Sequence, residues 1–276
     1  MSLSSSIRNL RPDLEALLRE TGEFVAAEFQ RFSYDQVQYK AENDPFTYVD
    51  VQAEVRLREG CEQLLPESGF INEEAEDRPS KNGYEWIIDP IDGTSNFTHG
   101  VPHFCISLAL AYERELILGY VYQPITGMLF SAFKGEGAFC NGEPIQASQR
   151  KDLNLGLVGT GFPYANFPER EAYFRMLMAI KDRAHGLRRQ GSAALDLAYV
   201  AWGRYDGFLE VNLKPYDVAA GILLVQEAGG QVSDFTGGDQ YLFGRQIIVS
   251  NGFVHQDLLE VVREHLPPSW EVAGNM

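Results

Sequence analysis

Two aspartates in the first half of the chain are the residues whose type and spacing most clearly suggest chemistry. Asp89 and Asp92 stand three residues apart with Pro90 between them, and they follow an apolar run at residues 86–88. Pro90 fixes its own φ and disfavours a helical conformation at Asp89. We therefore predict that a strand ends here and presents two carboxylates at its carboxyl-terminal edge.

The two residues after Asp92 predict a turn and the start of a helix. Gly93 permits a backbone conformation that other residues resist, and Thr94 is a favourable N-cap for a following helix. Carboxylate oxygens are the ligands that Mg²⁺ prefers, and the free N–H groups at a helix start can bind a phosphate oxygen. Taken alone, these residues are also compatible with an ordinary strand–turn–helix junction that carries a solvated aspartate.

Hydrophobic periodicity predicts the elements that would position these residues. Helices are predicted at residues 13–32, 50–65, 168–183, 191–202, 215–226 and 254–266. Strands are predicted at residues 70–71, 86–88, 104–113, 116–123, 128–134, 155–159, 187–189, 205–211 and 247–250, with a further hairpin at 135–142 and a polar turn at 40–45. Because strands alternate with helices in the second half, we expect a mixed and largely covered sheet there.

Composition and charge narrow the class of protein. The chain has 276 residues, of which 45% are apolar and 22% charged, as in ordinary globular proteins. A net charge of -16 argues against nucleic acid or an anionic membrane as the main partner. The few, widely spaced cysteines Cys61, Cys105 and Cys140 indicate a reducing compartment rather than a disulfide framework. With no signal-peptide pattern and no apolar stretch long enough to cross a bilayer, we expect a cytoplasmic protein.

Three motifs carry a family resemblance. Asp-Pro-Ile-Asp-Gly-Thr-x-Asn-Phe, at residues 89–97, resembles the signature of the inositol monophosphatase family of metal-dependent phosphatases. Residues 214–221, followed by Glu-Ala-Gly-Gly at 227–230, are similar to its C-terminal metal motif, with Tyr216 where Trp is usual. Residues 69–74 resemble its Gly-Glu-Glu segment, with Asn72 in place of the Gly. The motifs occur in order along nearly the whole chain.

The resemblance implies an α/β (α+β) fold, a layered αβαβα sandwich of the sugar phosphatase type. Residues 1–150 would form an N-terminal half with an antiparallel sheet and the main metal motif. Residues 151–276 would form a C-terminal half with a mixed sheet and the second metal motif. The polar interval at residues 151–154 is consistent with a boundary there. Counting both halves as one domain is the alternative.

The resemblance also implies a site for two or three Mg²⁺ ions. Glu73, Asp89 and the backbone carbonyl of Ile91 would hold the first ion. Asp89, as a bridging ligand, would hold the second together with Asp92 and Asp217. Glu73 is further expected to act in catalysis, and Asp92 and Asp217 to border the bound substrate.

The remaining family positions concern water and substrate. Asp44, paired with the Thr94 hydroxyl, would orient the attacking water, and the backbone N–H groups of Gly93 and Thr94 would bind the phosphate. Glu210 and Ala193 match the positions that bind substrate hydroxyls. The resemblance thus implies hydrolysis of a phosphate ester by an activated water, without a covalent phosphoenzyme.

The implied activity is that of a Mg²⁺-dependent phosphomonoesterase acting on myo-inositol monophosphate, with inhibition by Li⁺ and a homodimeric assembly. Three other substrates of the superfamily stay open: 3′-phosphoadenosine 5′-phosphate, fructose 1,6-bisphosphate and histidinol phosphate. Arg188, Arg189 and Lys214 are the residues that could bind a second phosphate. An alternative of another class is a regulator that binds another protein and whose phosphatase activity is incidental.

Overall fold

The structure is a computed structural model and describes residues 5–41, 44–162, 167 and 169–266. Within these ranges the side chains of Ser5, Ser6, Ala41 and Asp44 fall outside the description. The helices are α1 (Ser5–Asn9), α2 (Arg11–Arg31), α3 (Tyr48–Leu64), α4 (Thr94–Thr98), α5 (Arg170–Arg183), α6 (Ala193–Ala201), α7 (Pro215–Glu227) and α8 (His255–His265). Short 3₁₀ helices occupy Tyr34–Gln36 and Leu153–Leu155.

The strands form a small hairpin and two larger sheets. The hairpin pairs β1 (Gln38–Ala41) with β2 (Asp44–Phe46). The larger sheet contains β3 (Gly69–Asn72), β4 (Tyr84–Asp92), β5 (Cys105–Tyr112), β6 (Glu115–Gln123), β7 (Met128–Phe133), β8 (Gly137–Cys140) and β9 (Glu143–Ile145). The other contains β10 (Leu157–Thr160), β11 (Gly186–Arg188), β12 (Gly207–Val211), β13 (Gln231–Ser233) and β14 (Gln246–Ser250).

The first large sheet follows chain order from β3 to β9 and is antiparallel except for the parallel β3–β4 pair. The second has the order β11-β10-β12-β14-β13, with parallel pairs on one side and antiparallel pairs on the other. The mixed sheet predicted for the second half is therefore confirmed.

Helices cover both sheets in five layers. Buried side chains of α2 and α3 pack on one face of the first sheet, and those of α6 and α7 fill the space between the two sheets. Helices α5 and α8 cover the outer face of the second sheet. This arrangement confirms the predicted αβαβα sandwich. A boundary at residue 150 falls between the two sheets, while the core around α6 and α7 is shared, so the division into domains stays a prediction.

Close contact between α7 and the first sheet depends on a glycine. A Cβ atom on Gly119, in β6, would lie 2.8 Å from the carbonyl oxygen of Ala220 in α7. Only glycine permits this approach without displacing the backbone. The first turn of α7, which carries Asp217, is thereby held close to the strands that carry Asp89 and Asp92.

Most differences from the predicted elements lie at their ends. The polar turn at 40–45 is part of the β1–β2 hairpin, and residues 42–43 lie outside the described residues. The helix predicted from Pro168 begins at Arg170, and Pro168 is not among the described residues. Strand β4 continues four residues beyond its predicted end, and the short elements α1, β9 and β13 were not predicted. None of the helices in the described part of the chain has the length and apolar character needed to cross a membrane.

Candidate active site

A bulge in β4 brings the two motif aspartates to the same side of the sheet. Side chains three residues apart on a regular strand point to opposite faces. In β4, Asp89 is opposite Ser107 and Asp92 is opposite Cys105, so one extra residue lies between the aspartates. Such an extra residue re-aims the side chains that follow it. The Asp-Pro-Ile-Asp sequence therefore presents two carboxylates together, still within the strand.

The turn after Asp92 is built by Gly93, which has φ of +103° and is the N-cap of α4. A Cβ atom at this position would lie 3.1 Å from the carbonyl oxygens of Gly191 and His103, so a side chain has no room. The prediction that Thr94 is the N-cap is wrong, because Thr94 is the first helical residue. Its hydroxyl is instead within donating distance of the Ile91 carbonyl at 3.0 Å and of Asp50 Oδ1 at 3.1 Å.

The second metal motif forms the first turn of α7, as predicted. Pro215 is its first residue, and Asp217 accepts a hydrogen bond from the backbone N–H of Lys214 at 2.6 Å. The Ser107 hydroxyl donates to the carbonyl of Tyr216 at 3.0 Å. Since Ser107 is the β5 partner of Asp89, this bond fixes the start of α7 beside the aspartates of β4.

Three aspartates from two distant motifs meet in one cavity. One carboxylate oxygen from each of Asp89, Asp92 and Asp217 lies within 4.8 Å of the others. The cavity has a volume of about 100 Å³. Its lining residues are Pro45, Glu73, Asp89, Ile91, Asp92, Gly93, Thr94, Ser95, Gly191 and Asp217.

Glu73 contributes a fourth carboxylate to this cavity from the loop after β3. Its Oε2 is buried and has no hydrogen-bond partner among the described residues. Its Oε1 is 3.3 Å from the ammonium of Lys40, which also contacts Glu74 at 2.7 Å. A buried carboxylate oxygen without a donor, beside three clustered aspartates, fits a hard divalent cation. Because no His or Cys is among the described residues that line the cavity, the donor set favours Mg²⁺ over Zn²⁺.

Burial and mutual repulsion control the charges of these carboxylates in the metal-free protein. Burial raises the pKa of Asp89 well above its usual value, and the charges of Glu73, Asp92 and Asp217 raise it further. Burial also raises the pKa of Glu73 to about 8, although Lys40 opposes this shift. The pKa of Asp92 rises to about 6, again mainly through burial. The cluster is therefore short of positive charge, which bound cations would supply.

These pKa shifts predict that the metal-free protein loses stability as pH rises from 6.5 to 8. Carboxyl groups whose pKa is raised by folding keep protons that the unfolded chain has released, so the free energy of unfolding falls with rising pH. A group that keeps its proton throughout this window contributes about 1.4 kcal/mol per pH unit. The contribution of Glu73 declines as the pH approaches its pKa of about 8. Thermal unfolding in EDTA should show a falling midpoint, and saturating Mg²⁺ should reduce the trend. A midpoint that does not change with pH in EDTA would contradict the described clustering.

Two histidines, the buried His255 and the partly buried His103, act outside this pH window. Burial lowers the pKa values of both His103 and His255 to about 4. An unfolded histidine takes up its proton near pH 6.5, so these two residues reduce stability only below that pH.

Asp50 is a site residue that sequence reasoning missed. Its Oδ2 accepts hydrogen bonds from the backbone N–H of Thr47 at 2.8 Å and from the Thr47 hydroxyl at 2.6 Å, while its Oδ1 faces the Thr94 hydroxyl. The Thr-x-x-Asp spacing is typical of a capping box, so the sequence indicates a helix start rather than a catalytic residue. The side chain of Asp44 lies outside the described residues, and the predicted Asp44–Thr94 pair stays a prediction.

The two halves of the molecule are joined at the cavity by the motif residues themselves. Asp92 Oδ2 accepts hydrogen bonds from the Ser192 hydroxyl at 2.6 Å and from the backbone N–H of Ala194 at 2.7 Å, at the start of α6. The Asn96 amide donates to the carbonyls of His103 at 2.6 Å and Gln190 at 2.8 Å. Asp92 thus caps one helix with Oδ2 and leaves Oδ1 for another ligand.

The residues predicted to bind substrate hydroxyls are not among those that line the cavity. Ala193 is the first residue of α6 and is buried. Glu210 lies in β12 beside Gly161, where a Cβ atom would collide with its carboxylate. Burial raises the pKa of Glu210 to about 8, and the charge of Arg189 opposes this shift. The Arg189 guanidinium is 5.6 Å from the centre of the Phe162 ring.

Comparison with known proteins gives consistent matches over almost the whole chain. The chain is 41% identical over 256 residues to the Nus factor SuhB of Pseudomonas aeruginosa, covering 91% of this chain and 94% of that protein. It is 39% identical over 249 residues to the inositol-1-monophosphatase of Rhizobium meliloti, covering 90% and 94%. The crystal structure of the extragenic suppressor protein suhB from Bartonella henselae superposes with a TM-score of 0.89 at 34% identity, covering 94% and 100%.

The sequence profile of the inositol monophosphatase family matches residues 8–267, a range that includes all three motifs. Together with these relatives and the five-layered fold, the match shows that the chain belongs to the inositol monophosphatase family.

Proposed function

We propose that the protein is a Mg²⁺-dependent phosphomonoesterase that hydrolyses myo-inositol monophosphate to inositol and phosphate. The observation that carries this proposal is the meeting of Glu73, Asp89, Asp92 and Asp217 in one cavity. Four carboxylates crowded beside one ammonium group, that of Lys40, suit bound cations rather than a bare anion. Membership of the inositol monophosphatase family supports the reaction class, and the residues of the cavity support the cofactor.

The proposed ligands are the residues that the family resemblance implies, and all of them line the cavity. Glu73, Asp89 and the carbonyl of Ile91 would hold one Mg²⁺, and Asp89, Asp92 and Asp217 would hold a second. Bound Mg²⁺ would neutralise the phosphoryl oxygens and lower the pKa of the attacking water. Asp92 can take part because its hydrogen bonds to α6 use only Oδ2.

Activation of water is assigned here to Asp50 and Thr94, in place of the Asp44–Thr94 pair that the resemblance implied. When the Thr94 hydroxyl donates a hydrogen bond to Asp50 Oδ1, the lone pairs of its oxygen can accept a hydrogen bond from the attacking water and so orient it. The buried Asp50 carboxylate is held by the two donors of Thr47, so it keeps Thr94 in this orientation. The backbone N–H groups of Gly93 and Thr94 would bind the phosphoryl oxygens at the start of α4.

The alcohol of the proposed substrate would lie beside the cavity rather than within it. The cavity of about 100 Å³ would receive the ions and the phosphoryl group. The polyol would lie outside it, where Glu210 can exchange hydrogen bonds with ring hydroxyls. Arg188 and Arg189 are exposed, so a second phosphate is a competing possibility that must be tested directly.

A panel of phosphomonoesters tests the proposal as a whole. Turnover of inositol 1-phosphate, 3′-phosphoadenosine 5′-phosphate, fructose 1,6-bisphosphate and histidinol phosphate would be measured in Mg²⁺, in EDTA, and in Mg²⁺ with tens of millimolar Li⁺. We expect the highest kcat/KM on inositol 1-phosphate, no turnover in EDTA and inhibition by Li⁺. A higher kcat/KM on another ester would show that the proposed substrate is wrong. Turnover in EDTA would contradict the metal assignment.

Glu210 allows a sharper test of the substrate. Glu210→Met keeps the side-chain volume but removes both oxygens, and a hydrogen bond to a charged group contributes about 1.5–3 kcal/mol. We expect kcat/KM for inositol 1-phosphate to fall about ten- to a hundredfold, with little change for glycerol 2-phosphate. Glu143→Met, at an exposed position of β9, is the matched control. An equal loss on both substrates would place Glu210 in catalysis or folding instead.

A second candidate function is binding to another protein. It is favoured by one observation, that the Pseudomonas aeruginosa relative is named a Nus factor. A chain that folds and binds Mg²⁺ but turns over none of the panel would favour this candidate. We also propose that the protein is a homodimer and that it is cytoplasmic. Sedimentation of the purified protein would test whether it is a dimer.

A further inference from the structure

Helix α3 turns one buried face toward the cavity. Asp50 and Glu54 are four residues apart on this helix, and their side chains are 0% and 2% exposed. Residues at this spacing lie on the same side of a helix, about 6 Å apart along its axis. Buried carboxylates need hydrogen-bond donors. The donors to Asp50 and those to Glu54 lie in different parts of the site. Asp50 faces the Thr94 hydroxyl, whereas Glu54 faces the loop that carries Glu73.

Glu54 accepts hydrogen bonds from three consecutive backbone N–H groups. Its Oε2 accepts from Glu73 at 3.1 Å and from Glu74 at 2.9 Å, and its Oε1 accepts from Ala75 at 2.8 Å. Successive N–H groups that converge in this way form a concave anion-binding nest. Here the bound anion is a side chain of the protein itself. The loop is thereby anchored at the residue whose side chain enters the cavity.

The ends of the same loop are held by other bonds. Phe70 and Arg78 exchange two backbone hydrogen bonds, at 2.7 and 2.9 Å, and so close its base. The Asn72 side chain donates to the carbonyl of Glu76 at 3.0 Å, and the backbone N–H of Asn72 donates to Asp77 at 2.9 Å. These contacts set the path of the chain on either side of Glu73. Among the described contacts, it is Glu54 that fixes the backbone at Glu73 itself.

We infer that Glu54 is a positioning residue that fixes Glu73 relative to the Asp50–Thr94 pair. One rigid helix then sets the distance between the group that activates water and the first metal ligand. The inference rests on the proposed function, because it assigns Glu73 to a metal. Glu54 lines no part of the cavity and touches the site only through the backbone of the loop.

The neutral variant Glu54→Gln probes this role with little change in shape. An amide keeps one acceptor oxygen and turns an NH₂ group toward at least one of the three N–H donors, so the nest loses part of its bonding. Loss of a residue that orients a metal ligand lowers metal affinity about ten- to a hundredfold. Glu54→Ala removes all three bonds and should weaken binding further. Glu59→Gln, an exposed site on the same helix, is the matched control.

The experiment measures Mg²⁺ binding to the full chain by calorimetry, beside kcat at saturating Mg²⁺. We expect the Kd for Mg²⁺ to rise about ten- to a hundredfold in Glu54→Gln, with kcat restored to near the wild-type value when Mg²⁺ saturates. Glu59→Gln should match the wild type in both. A residue needed only for folding would instead lower the unfolding midpoint in EDTA and leave the Kd unchanged.

Glu73→Gln separates failure of this inference from failure of the proposed function. If the wild type does not bind Mg²⁺, or if Glu73→Gln binds it as well as the wild type, the metal assignment is wrong. If Glu73→Gln weakens binding but Glu54→Gln does not, the positioning role is overturned and the proposed function stands. A variant Glu54→Gln that keeps its Mg²⁺ affinity but loses kcat would also overturn the inference.

Discussion

Replacing Asp89 by Asn should lower phosphomonoester turnover by at least about a thousandfold, equivalent to roughly 4 kcal/mol of transition-state stabilisation. On the proposed function Asp89 bridges both Mg²⁺ ions, so its loss affects the charge that neutralises the phosphoryl group and the charge that activates water. The fold should survive, because Asn has the same shape and the buried carboxyl already has a raised pKa. Initial rates at saturating Mg²⁺ and the thermal midpoint in EDTA are the two measurements.

Asp152→Asn is the control for the Asp89 variant, since Asp152 is exposed and makes no side-chain cap bond. It should keep the wild-type rate. Asp217→Asn should also lower turnover strongly, because Asp217, like Asp92, is a proposed ligand of the second Mg²⁺. Near-wild-type turnover of either variant at saturating Mg²⁺ would contradict the two-metal assignment.

Replacing Asp50 by Asn should lower kcat by about a hundred- to ten-thousandfold, the range typical of a lost general base. The Thr47 N–H and hydroxyl both need an acceptor, so the amide oxygen should turn to Thr47 and the NH₂ group to Thr94. The Thr94 hydroxyl would then donate its hydrogen bond to the Ile91 carbonyl, and its oxygen, which accepts from the Asn amide, would no longer orient water. The Kd for Mg²⁺ should change little, because Asp50 is not a proposed ligand.

Thr47→Val separates the helix-capping role of Asp50 from its catalytic role. It removes a cap and two hydrogen bonds of the box, so it should cost about 1 kcal/mol of stability. Its kcat should nevertheless stay close to the wild-type value, because Asp50 still faces Thr94. If Thr47→Val lost as much kcat as Asp50→Asn, Asp50 would act through the start of α3 rather than on water.

The sequence predicted the fold well where one physical rule dominates. Apolar periodicity identified the long elements, because burial of one face decides whether a segment such as α2 or β6 forms. Short elements such as β13 and β9 have only three residues each, too few for periodicity to show. The position of Thr94 in α4 was mispredicted for a different reason. Gly93 in its left-handed conformation already provides the N-cap, which frees the Thr94 side chain.

The site was predictable only as far as local motifs reach. Asp89, Asp92 and Asp217 stand in patterns that signal a turn and a helix start, and the structure brings their carboxylates together. Asp50 stands in a capping-box pattern that indicates only a helix start, and Glu54 resembles an ordinary acidic residue of an amphipathic helix. Their partners lie 44 and 19–21 residues away along the chain, a pairing that only the tertiary fold creates.

The small volume of the cavity separates the binding of the metal ions and phosphoryl group from the recognition of the substrate alcohol. It has a volume of about 100 Å³ and is lined by the four carboxylates and by the turn that begins α4. Residues of β4 and of the first turns of α4 and α7 line that space. The alcohol would instead meet side chains from other elements, such as Glu210 and Arg189. Substitution at a few outer positions would therefore change which alcohol is recognised while the carboxylates stay in place. Such an architecture lets new substrate preferences evolve without rebuilding the reaction centre.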